Sequence, residues 1–169
     1  INMSGVNSIN WARIIAQAVY YFYSFFLLKN NKPINFSVPT GNFGDVYAGY
    51  LAKKMGLKID KLIVATNQND ILHRAIDLGK YETETVVETI SPSMDIQIAS
   101  NFERLIYDIN NHDDTETKDI MTKIKKNGKF IIPEEKLLKI KKDFLSASLN
   151  ESEVLNVIKK VYKKHKVIL

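Results

Sequence analysis

With 169 residues, 45% of them apolar, the chain is long enough to bury one continuous core and too apolar to stay disordered. The absence of Cys excludes a thiolate metal site and a Cys nucleophile and removes any need for an oxidising compartment, so a cytoplasmic location is expected. The net charge of +5 arises in residues 117–169, with 14 Lys or Arg against 6 Asp or Glu, whereas residues 1–116 hold 10 against 13; lysines such as Lys159, Lys160, Lys163 and Lys164 are spread along helices without interleaved Arg and aromatics, which speaks against nucleic acid as a partner.

Asn7 or Ser8 is expected to cap a helix running to about Leu28, apolar on nearly every side and therefore central to the fold. Its uncharged run, Ile14 to Leu28, is shorter than the roughly 20 apolar residues that span a bilayer and contains Gln17 and Ser24, so no membrane is expected either. Asn30-Asn31-Lys32-Pro33 ends it. Asn35–Val38 reads as a strand, Asp45–Met55 as a helix stopped by Gly56, and Lys61–Thr66 as a second strand. This second strand is apolar without alternation, as a parallel strand covered on both faces should be. Strand, glycine-rich turn, helix and strand form a βαβ unit. Ile71–Leu78 is a short helix before Gly79, and residues 80–100 are a loop with a strand near Thr85–Thr89. From Asn101 onward Phe102, Leu105 and Ile106, then Ile120 and Ile124, then Leu137, Leu138 and Phe144, then Val154, Ile158 and Val161 recur at helical spacing. The fold class expected is α/β, with an α/β part over 1–112 and a Lys-rich helical part over 113–169. The turn at Asn110–Asp114 lies between them.

The most chemical feature is Gly41-Asn42-Phe43-Gly44 between a strand and a helix start. Two glycines let successive N–H groups converge on one anion, and the helix N-terminus adds partial positive charge. On pattern alone a tight turn without a ligand is an equal reading. The loop is neither a Walker A sequence nor a full dinucleotide fingerprint. His73, His112 and His165 are too dispersed for a metal triad, so no metal is expected, and Asp70 reads as an N-cap. Arg13, in an otherwise apolar helix, is either paired with a carboxylate or aimed at an anionic ligand.

Four segments together resemble threonine synthase, a pyridoxal-phosphate (PLP) enzyme: Val6–Ile14, Val38–Asp45, Ala65–Leu72, and Ser91–Ile96 leading to Ser100–Arg104. The resemblance covers roughly residues 4–106. It implies the open parallel-sheet fold of the tryptophan-synthase-β-like enzymes and a reaction converting O-phospho-L-homoserine and water to L-threonine and phosphate. It also implies that the cofactor phosphate sits on Gly41, Asn42, Phe43 and Gly44, and that Arg13 and Asp45 face the substrate. The Schiff-base Lys of the family lies in a segment without a counterpart here, so no lysine of this chain takes that role and the chain alone is expected to be inactive. A start at Ile rather than Met, and an end before the family's Asp-Pro-His-Thr stretch, lead to the expectation that both ends are cut. Another β-elimination or replacement enzyme of the same fold, or a non-catalytic phosphate-binding module, remains the alternative.

Overall fold

The computed structural model describes residues 9–29 and 31–168. The expected caps Asn7 and Ser8 lie outside the described residues. The first helix, α1 (Trp11–Leu27), is capped by Asn10, whose side chain accepts from the Ala12 N–H at 3.0 Å. It is followed by β1 (Ile34–Pro39), α2 (Gly44–Lys54), β2 (Ile59–Thr66) and α3 (Ile71–Leu78). These boundaries lie within two residues of those read from periodicity. Then come β3 (Lys80–Glu82), a 3-10 turn at Pro92–Met94, α4 (Phe102–Ile109), α5 (Asp114–Asn127), β4 (Lys129–Ile131), α6 (Glu134–Asp143), β5 (Phe144–Ser148) and α7 (Glu151–His165).

The main sheet has the order β1-β2-β5 and is parallel throughout, with Pro39 opposite Ala65 and Thr66 opposite Ser148. All three strands therefore end at the same edge. The loops after β1, after β2 and after β5 open together there, the place where open α/β sheets bind ligands. The core runs from Ile14, Tyr21 and Phe25 of α1 through Val46 and Ala52 of α2 and Leu62 and Val64 of β2 to Phe102, Ile106, Ile140 and Phe144.

Three expectations are corrected. The strand near Thr85–Thr89 is absent, and the extended pairing occurs instead at β3, antiparallel to β4. The backbone around Val87 and Thr89 is taken by polar side chains rather than by a neighbouring strand: Asn69 Oδ1 accepts from Val87 N–H and Asn69 Nδ2 donates to Val87 C=O, both at 2.8 Å, while Asp95 accepts from Thr89 N–H at 2.8 Å. Second, the Lys-rich helical part also contains the short strands β4 and β5. Phe144, read as a helix-face residue, begins β5 and is fully buried. Pairing with β2 overrides the weak strand propensity of Ser146, Ala147 and Ser148. Third, α1 is not enclosed. Only Ile14, Ala18, Tyr21 and Phe25 are buried, a single stripe at i, i+4, i+7 and i+11, with Phe22 partly buried against the core, and Ile15, Val19, Tyr20, Tyr23, Phe26 and Leu27 are exposed. No helix among the described residues is long and apolar enough to cross a membrane.

Candidate functional site

The glycine loop leaves β1 at Pro39 and enters α2 at Gly44. Thr40 N–H continues the ladder by donating to Ala65 C=O at 3.0 Å, so the loop starts from a fixed point. Gly41 is packed against the 93–96 segment: a Cβ there would lie 2.8 Å from Ile96 Cδ1 and 2.9 Å from Ser93 O. Glycine is required at this position by close approach, not by its φ angle.

Phe43 carries the loop's unusual geometry. It is the N-cap residue of α2, with φ +64° and ψ +6°, left-handed for a bulky side chain. Such a conformation costs about 1–3 kcal/mol and persists only where its surroundings enforce it. Two groups of contacts do so. The ring is 0% exposed and packs edge-on against Phe102 (5.4 Å) and against Phe144 (5.7 Å). The peptide between Asn42 and Phe43 is held at both ends: Phe43 N–H donates to Thr40 Oγ1 at 3.2 Å, and the Asn42 carbonyl accepts from Asn101 N–H (3.2 Å) and Asn101 Nδ2 (3.1 Å). At about 0.5–1.5 kcal/mol each, three such bonds are enough to offset the strain. A left-handed residue followed by a right-handed helical one turns successive N–H groups to the same side, a concavity suited to an anion. With the Phe43 amide engaged by Thr40, the amides of Gly44 and Asp45, at the positive end of α2, are the donors this concavity offers.

The loops after β2 and before α4 close around this turn. Asp95 is their hub, accepting from Asn67 Nδ2 (2.7 Å), Asn69 Nδ2 (3.1 Å), Thr89 Oγ1 (2.7 Å) and Thr89 N–H (2.8 Å). Burial works to raise the Asp95 pKa, but the hydrogen bonds from Thr89, Asn67 and Asn69 outweigh it and hold the carboxyl below the usual carboxylate range. Ser148 Oγ donates to Asn67 C=O at 2.8 Å, which brings β5 into the same assembly.

On the other side of the loop, Arg104 donates from Nε to Asn101 Oδ1 (3.1 Å) and from Nη2 to Ile9 C=O (2.9 Å), with its guanidinium 5.3 Å from the Trp11 ring centre. A cleft of about 600 Å³ lies here, lined by Ile9, Trp11, Tyr47, Ser100, Asn101 and Arg104 among others. Asp108, nearly buried beside it, accepts from Tyr47 OH (3.1 Å) and pairs with Lys54 (3.2 Å) and His112 (2.9 Å). Burial, then the Asp108 carboxylate, pushes the Tyr47 hydroxyl pKa well up.

The structure thus gathers the described parts of all four sequence segments around one turn. It does not gather all the candidate side chains. Asp45 lies in the first turn of α2, facing a smaller recess lined by Tyr20, Tyr21, Ser24 and Phe36 to Pro39. Tyr21 OH donates to the Asp45 main-chain carbonyl at 2.8 Å, while the carboxyl Oδ1 is buried without a hydrogen-bond partner. Burial raises the Asp45 pKa and the nearby Tyr21 hydroxyl opposes this. Arg13 is exposed on the first turn of α1, two residues past Trp11 and eight before Tyr21, or about 12 Å along the axis from the latter. Asp70 precedes α3, but its carboxylate binds Arg74 Nε (2.8 Å) rather than a helix amide. His73 pairs with Ser146 Oγ at 2.9 Å, and among the described residues no group of three or more acidic or His side chains could hold a metal.

Sequence reasoning gave no role to Thr40, Asn67, Asp95, Asn101 or Arg104, although all five fall inside the quoted segments. An Asn, Asp or Thr immediately beside a glycine turn or a helix start is the available signal, since these side chains bond backbone groups locally. Their partners lie up to 95 residues away, beyond any local pattern.

No protein-family model matches the chain. It is 48% identical to threonine synthase of Saccharomyces cerevisiae over 175 residues, covering 96% of this chain and 34% of that protein. It is 44% identical to threonine synthase of Pseudomonas aeruginosa over 159 residues, with coverages of 94% and 34%. A solved structure of PLP-bound threonine synthase from Brucella melitensis superposes with a TM-score of 0.95 at 47% identity, over 98% of this chain and 36% of that one. The yeast threonine synthase structure gives 0.89 at 46% identity, over 96% and 34%. The chain spans about a third of the length of the curated relatives it matches. It belongs to the threonine synthase family.

Proposed function

We propose that this chain forms the cofactor-phosphate side of a threonine synthase active site, in an enzyme that converts O-phospho-L-homoserine and water to L-threonine and phosphate. The observation that carries the reading is the strained, doubly pinned turn at Phe43, which opens an anion concavity at the N-terminus of α2 where the parallel strands end. The donor set fits the phosphate of PLP: the Gly41, Asn42, Phe43 and Gly44 loop delivers the main-chain N–H groups of Gly44 and Asp45 at the start of α2. When bound, PLP supplies the electron sink for carbanion chemistry on the amino acid. The chain's own residues do the rest. Gly41 admits the 93–96 segment, Phe43 holds the turn, and the Gly44 and Asp45 amides bind the phosphate.

Arg13 is assigned to the substrate's own phosphate, because a helix N-terminus and a few amides offset only one of two phosphate dianions sharing a cleft. Its exposed place in the first turn of α1, the turn that also carries the cleft residue Trp11, supports that role. Asp45 is placed on the substrate side next to its recess. A cytoplasmic location goes with a small-molecule biosynthetic role. The test is PLP-dependent release of inorganic phosphate from O-phospho-L-homoserine by the full-length protein, with threonine as co-product. Gly41→Val should abolish both, since its side chain must displace Ser93 and Ile96. Turnover by the 169-residue chain alone, or none by the full-length protein, contradicts the proposal.

A further inference from the structure

Two orientations are open to the peptide joining Asn42 to Phe43, related by rotation of the peptide plane. In the observed one its carbonyl faces Asn101 and its N–H faces Thr40, which requires the left-handed Phe43. Rotating the peptide by half a turn brings φ of Phe43 back to negative values and removes the backbone strain, but it exchanges N–H for C=O on the side where the Gly44 and Asp45 amides converge, so that a carbonyl oxygen would meet an anion there. Local propensity therefore favours the state that does not bind an anion. Something distant must hold the other.

Asn101 does this from a fixed place. It is 1% exposed, sits at the start of α4, and donates to the Asn42 carbonyl from both its N–H and its Nδ2, occupying both lone pairs. Its side-chain orientation is set in turn by Arg104 Nε, which donates to Asn101 Oδ1, so that Nδ2 is the end left facing Asn42. Arg104 is anchored on Ile9 C=O and over Trp11. The chain of contacts runs from α1 through α4 to the glycine loop.

We propose that Asn101 is a positioning residue for the phosphate site: its two donors to the Asn42 carbonyl keep that oxygen turned away from the concavity in which the amides at the start of α2 meet the anion. The inference deepens the reading of the loop as a PLP-phosphate site and rests on it. Asn101 touches neither cofactor nor substrate in this role. It acts through the backbone.

The test compares PLP with pyridoxal, which lacks the phosphate, in equilibrium titrations of the full-length protein and its Asn101→Asp variant. Asn101→Asp keeps the acceptor for Arg104 and the backbone N–H but loses the Nδ2 donor and sets a carboxylate oxygen against the Asn42 carbonyl. PLP affinity should fall at least tenfold while pyridoxal affinity changes less than twofold. Thr40→Val removes the acceptor at the opposite end of the same peptide without changing side-chain shape. It should lower PLP affinity in the same phosphate-selective way, and the double variant should lose less than the product of the two single losses, because both act on one peptide. Should Asn101→Asp not fold, as judged by its thermal transition, the Thr40→Val result decides alone. The proposal is overturned if the folded variants bind PLP as the wild type does, or lose PLP and pyridoxal equally. Failure of the underlying reading has a different signature: the wild type itself would not prefer PLP over pyridoxal, and Gly41→Val would leave both affinities unchanged.

Discussion

At the scale of single residues, the site combines a strained backbone with an unsatisfied carboxyl. Asp45 occupies the first turn of α2, where the helix dipole favours a negative charge, yet burial dominates and its Oδ1 finds no donor. Its folded pKa is raised above the unfolded value of about 3.9, so the neutral form is the one the fold favours. A raised pKa contributes stability that is fully present below the unfolded pKa and is lost as pH rises through the folded pKa. Asp45→Asn, which fixes the neutral form, should therefore raise the melting temperature by about 2 °C at pH 7.5 and by nothing at pH 3.5. Thermal melts of the two proteins at both pH values check this, and an equal shift at both would exclude titration as the cause. Arg13 behaves differently, because it lies on the exposed side of α1. Under the proposed assignment of Arg13 to the substrate's phosphate, losing a charge-assisted contact worth about 1.5–3 kcal/mol per hydrogen bond should lower kcat/KM for O-phosphohomoserine at least tenfold in the full-length enzyme carrying Arg13→Ala. PLP affinity and melting temperature should stay as they were. A fall in melting temperature with kcat/KM intact would make Arg13 a structural residue.

At the scale of elements, the legible parts were those whose period matches their burial. β2 reads as continuous apolar sequence because α-helices and loops cover it on both faces, and α3 was bounded to the residue by Asp70 and Gly79. β5 was not legible: five residues containing two Ser and one Ala become a strand only because β2 offers an unpaired edge. The loop from Thr83 to Ser100 was misread for a related reason, since its backbone partners are the side chains of Asn69 and Asp95. That loop should inherit the titration of its hub. Asp95 has a depressed folded pKa, so its contribution is present above the unfolded pKa of about 3.9 and is lost as pH falls through the lower folded value. Wild-type melting temperature should drop more steeply between pH 5 and pH 2.5 than that of Asp95→Asn. Parallel curves would remove Asp95 as an acid-sensitive staple. Between α1 and α2 the decisive residue is Gly49, where a Cβ would come within 2.5 Å of Tyr21 Cε1 and 2.8 Å of Leu62 Cδ2. Ala is better than Gly by about 1 kcal/mol in a helix interior, but overpacking a filled core costs about 1–3 kcal/mol. The clash wins, and Gly49→Ala should lower the melting temperature by several degrees.

At the scale of the whole molecule, the site was legible as four segments in order, but the reason they belong together was not. Asn42 meets Asn101, Asn67 meets Asp95 and Arg104 meets Ile9 across separations of 28 to 95 residues, which only the parallel sheet and its shared loop edge bring into contact. The helix α1 is only partly covered by the rest of the described residues. Its apolar character and its end near Leu28 were readable, whereas its start at Trp11 and the side it buries were not, because nearly every side is apolar. The buried stripe leaves Val19 61% and Tyr23 65% exposed, with Tyr20, Phe26 and Leu27 exposed beside them. Among the described residues β1 is an edge strand of the sheet. Neighbouring exposed apolar side chains of this kind mark an interaction surface more often than an isolated one does. The isolated 169-residue chain should therefore bind a hydrophobic dye such as ANS while showing a cooperative melt. Val19→Glu combined with Tyr23→Lys replaces two such residues by an i, i+4 pair in the favourable order, on the side of α1 that makes no core contact. Both are better helix formers than the residues they replace, so the melting temperature should hold or rise slightly. Dye fluorescence should fall by at least half, and sedimentation velocity should show less self-association. Unchanged fluorescence with an unchanged melt would mean that the dye binds elsewhere on the chain. A collapse of the melt would mean that this face of α1 is packed in solution.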